Sequence, residues 1–189
     1  MIKLRTSLKV GNELGEGVIW DHARQRVWWT DIQQSQLYRY DPVSEELEQW
    51  QTPERLCCFA PVAGQDGLVA AFESGFAFYN PETQELSWVH KLERDNPGTR
   101  FNDGRTDRQG RLWSGTMVED ADSATQNGTL YCLHQDLSIS HSLTDLLIPN
   151  SLCWSPDGNT VYHTDTPTNQ LIGTAMINRQ LNSATPSSL

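Results

Sequence analysis

Four stretches of the chain repeat one pattern of polar and hydrophobic positions. Each has a polar turn containing Gly or Gln, then a short apolar and aromatic strand, then a small or acidic residue. The stretches are DHARQRVWWTD (21–31), AGQDGLVAAFE (63–73), DRQGRLWSGTM (107–117) and SPDGNTVYHTD (155–165). Their apolar anchors are Val27, Val69, Leu112 and Val161. Recurrence about every 40 to 50 residues is the period of a repeat architecture.

Further strands are predicted around each repeated stretch. QLYRYDP, FAFYNP and GTLYCLH follow the first three and alternate apolar with polar residues, as half-buried strands do; NQLIGTAM follows the fourth less regularly. EELEQW, QELSWV and LSISHSL alternate likewise, and segments such as GEGVIW or NSLCW precede the turns. Four short strands per repeat are typical of a β-propeller blade. The alternative is a series of hairpins in a sandwich, whose strands do not usually repeat with matched turns.

We therefore predict an all-β fold, a β-propeller of four-stranded blades with about three full blades and part of a fourth. From Ile172 to Leu189 the alternation is lost in a segment rich in Ser, Thr and Asn. Residues 1–171 are assigned to an incomplete propeller domain and residues 172–189 to an irregular or disordered tail. We expect the chain to be a piece of a longer propeller.

Charge and composition exclude several function classes. The net charge of −10 without a cluster of Lys and Arg argues against nucleic-acid binding. The sequence has no apolar run of 18 residues, the length that would predict a membrane span. Its amino-terminal residues do not resemble a secretory signal. We therefore expect a cytoplasmic protein. No protein partner is predicted. The cysteines form no Cys-x-x-Cys pair, and Cys132 and Cys153 are interpreted as small hydrophobic residues in strands.

Oxygen-bearing side chains occupy matching positions before three of the repeated turns. In a propeller, the segments leading into the innermost strands surround the central channel. Glu16, Asn102 and Asn150 lie in such segments, and carboxylate and amide oxygens are ligands for hard divalent cations. Taken singly, each asparagine could be a turn former and Glu16 a solvated loop charge.

Two more features point to the same channel. Arg100 precedes the buriable ring of Phe101 and could direct its planar donor group towards carboxylate or polyol oxygens; an exposed ion pair is the alternative. The longest insertion within a blade, VEDADSATQNG, has Glu119 and Asp120 at its root. A ligand role or a solvated acidic loop would both fit this insertion.

These motifs resemble a known family. GEGVIWD, RFNDGRTDRQGRLWSGTM, NGTLY and IPNSLCWSPDGNTVYHTD are similar, in order and spacing, to motifs of the senescence marker protein, gluconolactonase and luciferin-regenerating enzyme family, which includes regucalcin. The resemblance runs from about Glu16 to Asp165. It implies a six-bladed propeller with one divalent cation on its axis (Ca²⁺, Zn²⁺, Mn²⁺ or Mg²⁺) and a small-molecule sugar lactone as the substrate that is hydrolysed.

The resemblance also implies roles for individual residues. Glu16 and Asn150 match the metal ligands, while Arg100, Asn102 and Asp120 match substrate-contacting positions. Asp103 belongs to the same motif, and we assign it to the turn.

Two departures from the family pattern affect the expected activity. Ser151 stands where the family usually has glycine, a costly change if the backbone needs a positive φ. The family also supplies a later aspartate, a metal ligand and general base, for which this chain has no counterpart, so we assign no catalytic residue. We expect a lactonase impaired in this 189-residue form; the alternatives are a non-catalytic ligand-binding or scaffold propeller, or an inactive fragment.

Overall fold

The computed structural model describes residue 4 and residues 6–176, which form fifteen strands and one short 3-10 helix. The strands of each sheet pair in chain order as antiparallel meanders. Blade one contains β1 (Gly15–Asp21), β2 (Arg26–Asp31), β3 (Gln36–Tyr40) and β4 (Leu47–Gln51). Blade two contains β5 (Leu56–Pro61), β6 (Leu68–Phe72), β7 (Gly75–Asn80) and β8 (Glu85–His90).

The second half of the described chain repeats this arrangement. Blade three contains β9 (Thr99–Thr106), β10 (Leu112–Val118), β11 (Gly128–Leu133) and β12 (Ile139–Leu146). The fourth sheet has three strands, β13 (Pro149–Trp154), β14 (Thr160–Asp165) and β15 (Gln170–Ala175), with the 3-10 helix Thr166–Thr168 before the last. The prediction of a propeller with three full blades and part of a fourth is confirmed.

The domain boundary predicted at residue 171 falls inside β15 and needs correction. Ile172 and Gly173 pair with His163 and Tyr162 of β14, and the pairing continues to Ala175. Backbone hydrogen bonds to β14 form this strand although its side chains alternate poorly, so hydrophobic pattern alone placed the end of the sheet too early. The rest of the predicted tail, residues 177–189, lies outside the described residues.

Hydrophobic side chains fill the spaces between neighbouring blades. One cluster joins blades one and two, a second extends to blade three, and a third joins blades three and four. Phe101 is fully buried in the second cluster, where its ring centroid lies 4.9 Å from that of Phe76 and 5.8 Å from that of Tyr131. The ring next to Arg100 therefore anchors β9 in the core.

The two strand cysteines differ in burial. Cys132 is buried between blades three and four, as predicted. Cys153 also lies in a strand, β13, as predicted, but it is exposed and so does not act as a buried small hydrophobic residue. Successive side chains of a strand point to opposite faces, and Leu152 takes the buried face of β13.

Within the described residues, no helix has the length and apolar character needed to cross a bilayer.

Candidate functional site

The innermost strands converge and carry irregularities at similar heights. β9 contacts each of β1, β5 and β13. The pairing register shifts in β1 after Glu16, in β5 after Leu56 and in β13 after Asn150. In β9 the shift lies opposite the stretch of β10 between Ser114 and Thr116. Bulges of this kind redirect side chains and are frequent beside functional sites. Residues at these irregularities line one small pocket, together with Ile32: Glu16, Ile32, Cys57, Asn102, Asp103 and Asn150.

Glu16 and Asn150 occupy equivalent places in blades one and four. Glu16 pairs with Thr30 and Asn150 pairs with Thr164, and the next residue on each strand has a φ of 62°. In blade one that next residue is Gly17, which adopts this backbone conformation without a steric penalty. In blade four it is Ser151, whose Cβ makes the same conformation strained. The glycine-to-serine departure therefore falls on a position that requires positive φ.

Two buried aspartates hold the segments that lead into these strands. Asp31 accepts hydrogen bonds from the backbone N–H groups of Glu13 and Leu14 at 2.7 and 3.1 Å. Asp165 does the same in blade four for the residues before Asn150, the N–H groups of 147 and 148. Both aspartates are the acidic residue that ends the repeated strand pattern, so their matching place in the repeat is a sequence signal for this structural role.

Burial opposes the charge of Asp31, but the hydrogen bonds that it accepts prevail. Desolvation by itself would raise the pKa of the Asp31 carboxyl. The backbone N–H groups of Glu13, Leu14 and Gln34 and the side chain of Asn12 together lower this pKa below its usual value. The segment before Glu16 is therefore held by an ionised carboxylate.

The two asparagines and Arg100 are joined by hydrogen bonds. Arg100 is buried, and its Nη1 donates to Asn102 Oδ1 at 3.1 Å. Asn102 Nδ2 donates to the carbonyl of Pro149 at 3.1 Å and to Asn150 Oδ1 at 3.2 Å. Asn150 Nδ2 donates to Thr166 Oγ1 at 2.9 Å. Residues from blades three and four, predicted from separate motifs, thus form one polar network.

Asp103 is part of β9 and lines the pocket, which corrects its assignment to the turn. The turn comes later, where the N–H of Asp107 donates to the carbonyl of Arg111. Asp103 Oδ2 accepts a hydrogen bond of 2.6 Å from the backbone N–H of Ser151. The extra residue at the β9 irregularity lets neighbouring residues, Asn102 and Asp103, both reach the pocket.

Glu16 contributes a second carboxylate, from β1 of blade one. Its side chain is exposed, yet desolvation by the surrounding protein raises the pKa of its carboxyl, and the charge of Asp103 raises it further. Arg100 acts in the opposite direction. A cation bound between two carboxylates offsets the repulsion between their charges.

The donor set fits a hard divalent cation, although it is sparse. Carboxylates from Glu16 and Asp103 and the amide oxygen of Asn150 are ligands that Ca²⁺ and Mg²⁺ prefer. The described part of the chain contains no group of three or more His, Cys, Asp or Glu side chains arranged to hold a metal. A cation at this pocket would therefore take amide oxygen, and water or substrate oxygen, in addition to two carboxylates.

Glu119, and not Asp120, is the acidic residue that contacts Arg100. Arg100 Nε donates to Glu119 Oε1 at 2.8 Å. Asp120 accepts hydrogen bonds from the hydroxyl of Ser123 and the N–H of Asp122 in its own turn, and these bonds lower the pKa of its carboxyl. It does not line the pocket. In the extended segment after β10, neighbouring side chains diverge, so only one of the two acids reaches Arg100.

The pocket also holds a buried thiol. Cys57 lines the pocket from β5 and is fully buried. Burial raises the pKa of this thiol to about 12, against the lowering influence of Arg100 and Arg55. A neutral thiol is a poor nucleophile, so the oxygen-bearing side chains of the pocket are the better candidates for a functional role.

Comparisons with known proteins agree with this architecture. The family model described as SMP-30/Gluconolactonase/LRE-like region matches residues 14–185. L-arabinolactonase of Azospirillum brasilense is 34% identical over 155 residues, which cover 82% of this chain and 51% of that protein. Regucalcin of Danio rerio is 30% identical over 165 residues, covering 87% of this chain and 55% of that protein. The chain spans about half the length of these curated relatives.

Solved structures match the same region. A luciferin-regenerating enzyme superposes with a TM-score of 0.82 at 24% identity, over 88% of this chain and 57% of that one, which shows the shared fold. A regucalcin from Agrobacterium tumefaciens, described as a calcium-binding protein, superposes with a TM-score of 0.79 at 32% identity, over 87% and 55% of the two chains. With its repeated blades, its pocket on the innermost strands and these matches, the chain belongs to the SMP-30, gluconolactonase and luciferin-regenerating enzyme family.

Proposed function

We propose that this protein hydrolyses a sugar lactone to the aldonic acid with the help of one divalent cation. The observation that carries the proposal is the convergence of Glu16, Asp103 and Asn150 on a single pocket next to the Arg100–Asn102 pair. The names of two relatives, L-arabinolactonase and 6-deoxy-6-sulfogluconolactonase, support a lactone as the substrate. The regucalcin structure described as calcium-binding supports a cation.

The residues of the pocket would divide into two roles. Glu16, Asp103 and Asn150 would hold the cation through their side-chain oxygens. When bound, the cation supplies Lewis acidity, which polarises the lactone carbonyl and stabilises negative charge on its oxygen.

Arg100 and Asn102 would bind and orient the sugar. Arg100 Nε donates to Glu119, and Nη1 donates to Phe101 O and Asn102 Oδ1, whereas Nη2 makes no hydrogen bond within the described part of the chain. In this proposal Nη2 would donate to a substrate oxygen. Hydroxyl recognition by such buried donors is selective, because a substrate that lacks the hydroxyl leaves the donor unpaired. Asp120 would contact the substrate from the loop inserted between β10 and β11.

Among the described residues that line the pocket, none is left to deprotonate the attacking water. Asp103 and Glu16 are both assigned to the cation, and the two oxygens of Asp103 also accept hydrogen bonds from the N–H groups of Ser151 and Gly104. Loss of a general base lowers a rate by about two to four orders of magnitude. We therefore expect slow turnover from this chain by itself.

The proposed activity is tested by acid release from an aldonolactone, with and without Ca²⁺, Zn²⁺, Mn²⁺ or Mg²⁺. Cation-dependent hydrolysis should be present in the wild type and lost in Glu16→Gln. Glu13→Gln is the matched control, because this exposed carboxylate lies three residues away and its side chain does not line the pocket. A rate of hydrolysis that changes neither with the cation nor with either substitution would contradict the proposal.

The same experiment also tests a second candidate function, in which the propeller binds a ligand but does not catalyse its hydrolysis. The absence of an assigned base is the observation that favours this second candidate. It predicts that an aldonolactone or aldonate raises the melting temperature of the wild type in the presence of a cation while no acid is released. Acid release above the uncatalysed rate would exclude it.

A further inference from the structure

A line of hydrogen bonds leads into the pocket from a residue that does not line it. Glu119 accepts from Arg100, Arg100 donates to Asn102, and Asn102 donates to Asn150. We propose that Glu119 is a positioning residue, which fixes the amide direction of Asn150 through Arg100 and Asn102 and thereby sets the affinity of the pocket for a divalent cation. This inference rests on the cation site of the proposed function.

The first step is the clamping of a buried guanidinium. Arg100 is only 3% exposed, and a buried charge is stable only when it is paired and hydrogen-bonded. Glu119 Oε1 accepts from Arg100 Nε at 2.8 Å, while Nη1 donates to Phe101 O at 2.9 Å. A planar group held on two edges has one orientation.

The second step transmits this orientation to Asn102. A guanidinium can only donate, so the atom of Asn102 that faces Arg100 Nη1 must be the acceptor Oδ1. The amino group Nδ2 then faces blade four, where it donates to Pro149 O and Asn150 Oδ1. A flipped Asn102 would place two donors against each other.

The third step sets what Asn150 offers to the pocket. Its Oδ1 accepts from Asn102, and its Nδ2 is directed to Thr166 Oγ1. An amide oxygen has two lone pairs, so one remains for a cation after the bond from Asn102 is made. A reversed amide would present N–H groups, which cannot bind a cation.

Glu119 is itself fixed by a second arginine. Arg55 Nη1 and Nη2 lie 2.9 Å from its two carboxylate oxygens, and Arg55 also pairs with Glu73. Burial by itself would raise the pKa of Glu119, but the hydrogen bonds from Arg55 and Arg100 lower it. The clamp is therefore ionised at neutral pH. Glu119 does not line the pocket, so in this proposal its effect passes through the hydrogen bond to Arg100.

The test is the dissociation constant of Mn²⁺, measured from the EPR signal of the free ion. Loss of a partner that orients a ligand typically weakens metal binding about 10- to 100-fold. Glu119→Gln should show a loss in this range. Glu48→Gln is the matched control, because Glu48 has the same side-chain exposure of 33% and also pairs with an arginine, Arg39, but on the outer strand of blade one. It should bind Mn²⁺ as the wild type does.

A second variant separates orientation from charge. Arg100→Lys keeps the positive charge but loses the planar group that fixes Asn102. The relay predicts about tenfold weaker Mn²⁺ binding in this variant too, whereas a purely electrostatic role of Glu119 predicts none. Unfolding transitions of all variants show whether each is folded at the assay temperature. Unchanged Mn²⁺ binding in Glu119→Gln or Arg100→Lys, an equal loss in Glu48→Gln, or no Mn²⁺ binding by the wild type would each overturn the proposal.

The two proposals fail in different ways. If the wild type binds Mn²⁺ and the variants weaken as expected, but no lactone is hydrolysed, the proposed function fails while the positioning role stands. If hydrolysis depends on the cation but Glu119→Gln binds Mn²⁺ like the wild type, the positioning role fails while the proposed function stands.

Discussion

The carboxylate of Asp103 and the backbone N–H of Ser151 are joined by a hydrogen bond of 2.6 Å, which connects blade three to blade four at the edge of the pocket. Ser151 has a φ of 62° there, in the region that favours glycine. Because the N–H belongs to the backbone, the contact does not depend on the serine side chain. The position therefore carries strain that a substitution can remove without loss of the contact.

Ser151→Gly should raise the free energy of unfolding by about 1 kcal/mol, since the left-handed conformation penalises a residue with a Cβ by roughly this amount. Urea denaturation measures the change. Ser87→Gly is the control with the opposite sign, because Ser87 is an exposed residue inside β8, where glycine weakens a strand. A lower stability of Ser151→Gly would show that the serine side chain matters more than its backbone strain.

Phe101→Ala should lower the free energy of unfolding by about 3–5 kcal/mol, the usual cost of removing a large buried aromatic side chain. The ring is fully buried against Phe76 and Tyr131. Chemical denaturation measures the loss, with Phe78→Ala as the control, because Phe78 is only partly buried on β7. Equal losses in the two variants would contradict the anchoring role of Phe101.

Asp31→Asn should destabilise the protein by about 2 kcal/mol at neutral pH, because hydrogen bonds to a charged acceptor contribute more than those to a neutral one. The pKa of Asp31 is lowered in the folded state, so its contribution is complete above the unfolded value of about 3.9 and is lost as the pH falls through the folded pKa. The difference between wild type and variant should shrink below about pH 4. Asp66→Asn, at a side chain that is 92% exposed, should change little; a pH-independent difference for Asp31→Asn would refute this account.

His163 should make the protein less stable in mild acid. Its ring is buried on β14, and neither nitrogen has a partner within good hydrogen-bond geometry among the described residues. Desolvation lowers its pKa, and the weaker opposing influences of the Thr164 backbone and of Asp165 do not reverse this. Below about pH 6.5 the unfolded chain takes up a proton that the folded ring resists, so stability falls as the pH decreases, by at most about 1.4 kcal/mol per pH unit.

Urea denaturation between pH 7 and pH 5 measures this slope. His163→Leu should flatten it, whereas His141→Leu, at an exposed position of β12, should retain it. If His163→Leu keeps the wild-type slope, another group is responsible for the acid sensitivity.

Several residues of the candidate site could be predicted from the sequence, and their local motifs explain why. Glu16, Asn102 and Asn150 occupy the same place in a repeated segment, so symmetry brings them to the same pocket. The role of Asp103 could not be derived in this way, because it depends on an irregularity in β9 and on a contact with Ser151 across two blades. The cytoplasmic location and the lack of a protein partner remain predictions.

The strands and the blades follow from the sequence alone, because alternation with a period of two and repeated turns are local properties of the chain. The packing of the blades, in contrast, is what makes Glu119 clamp Arg100 while Asp120 turns to its own loop. The same packing lets Asp31 and Asp165 hold the segments before Glu16 and Asn150. Such contacts join residues that are distant in the chain, or give different partners to two residues that are adjacent in it. Their geometry is set by how the blades pack, which no local pattern encodes.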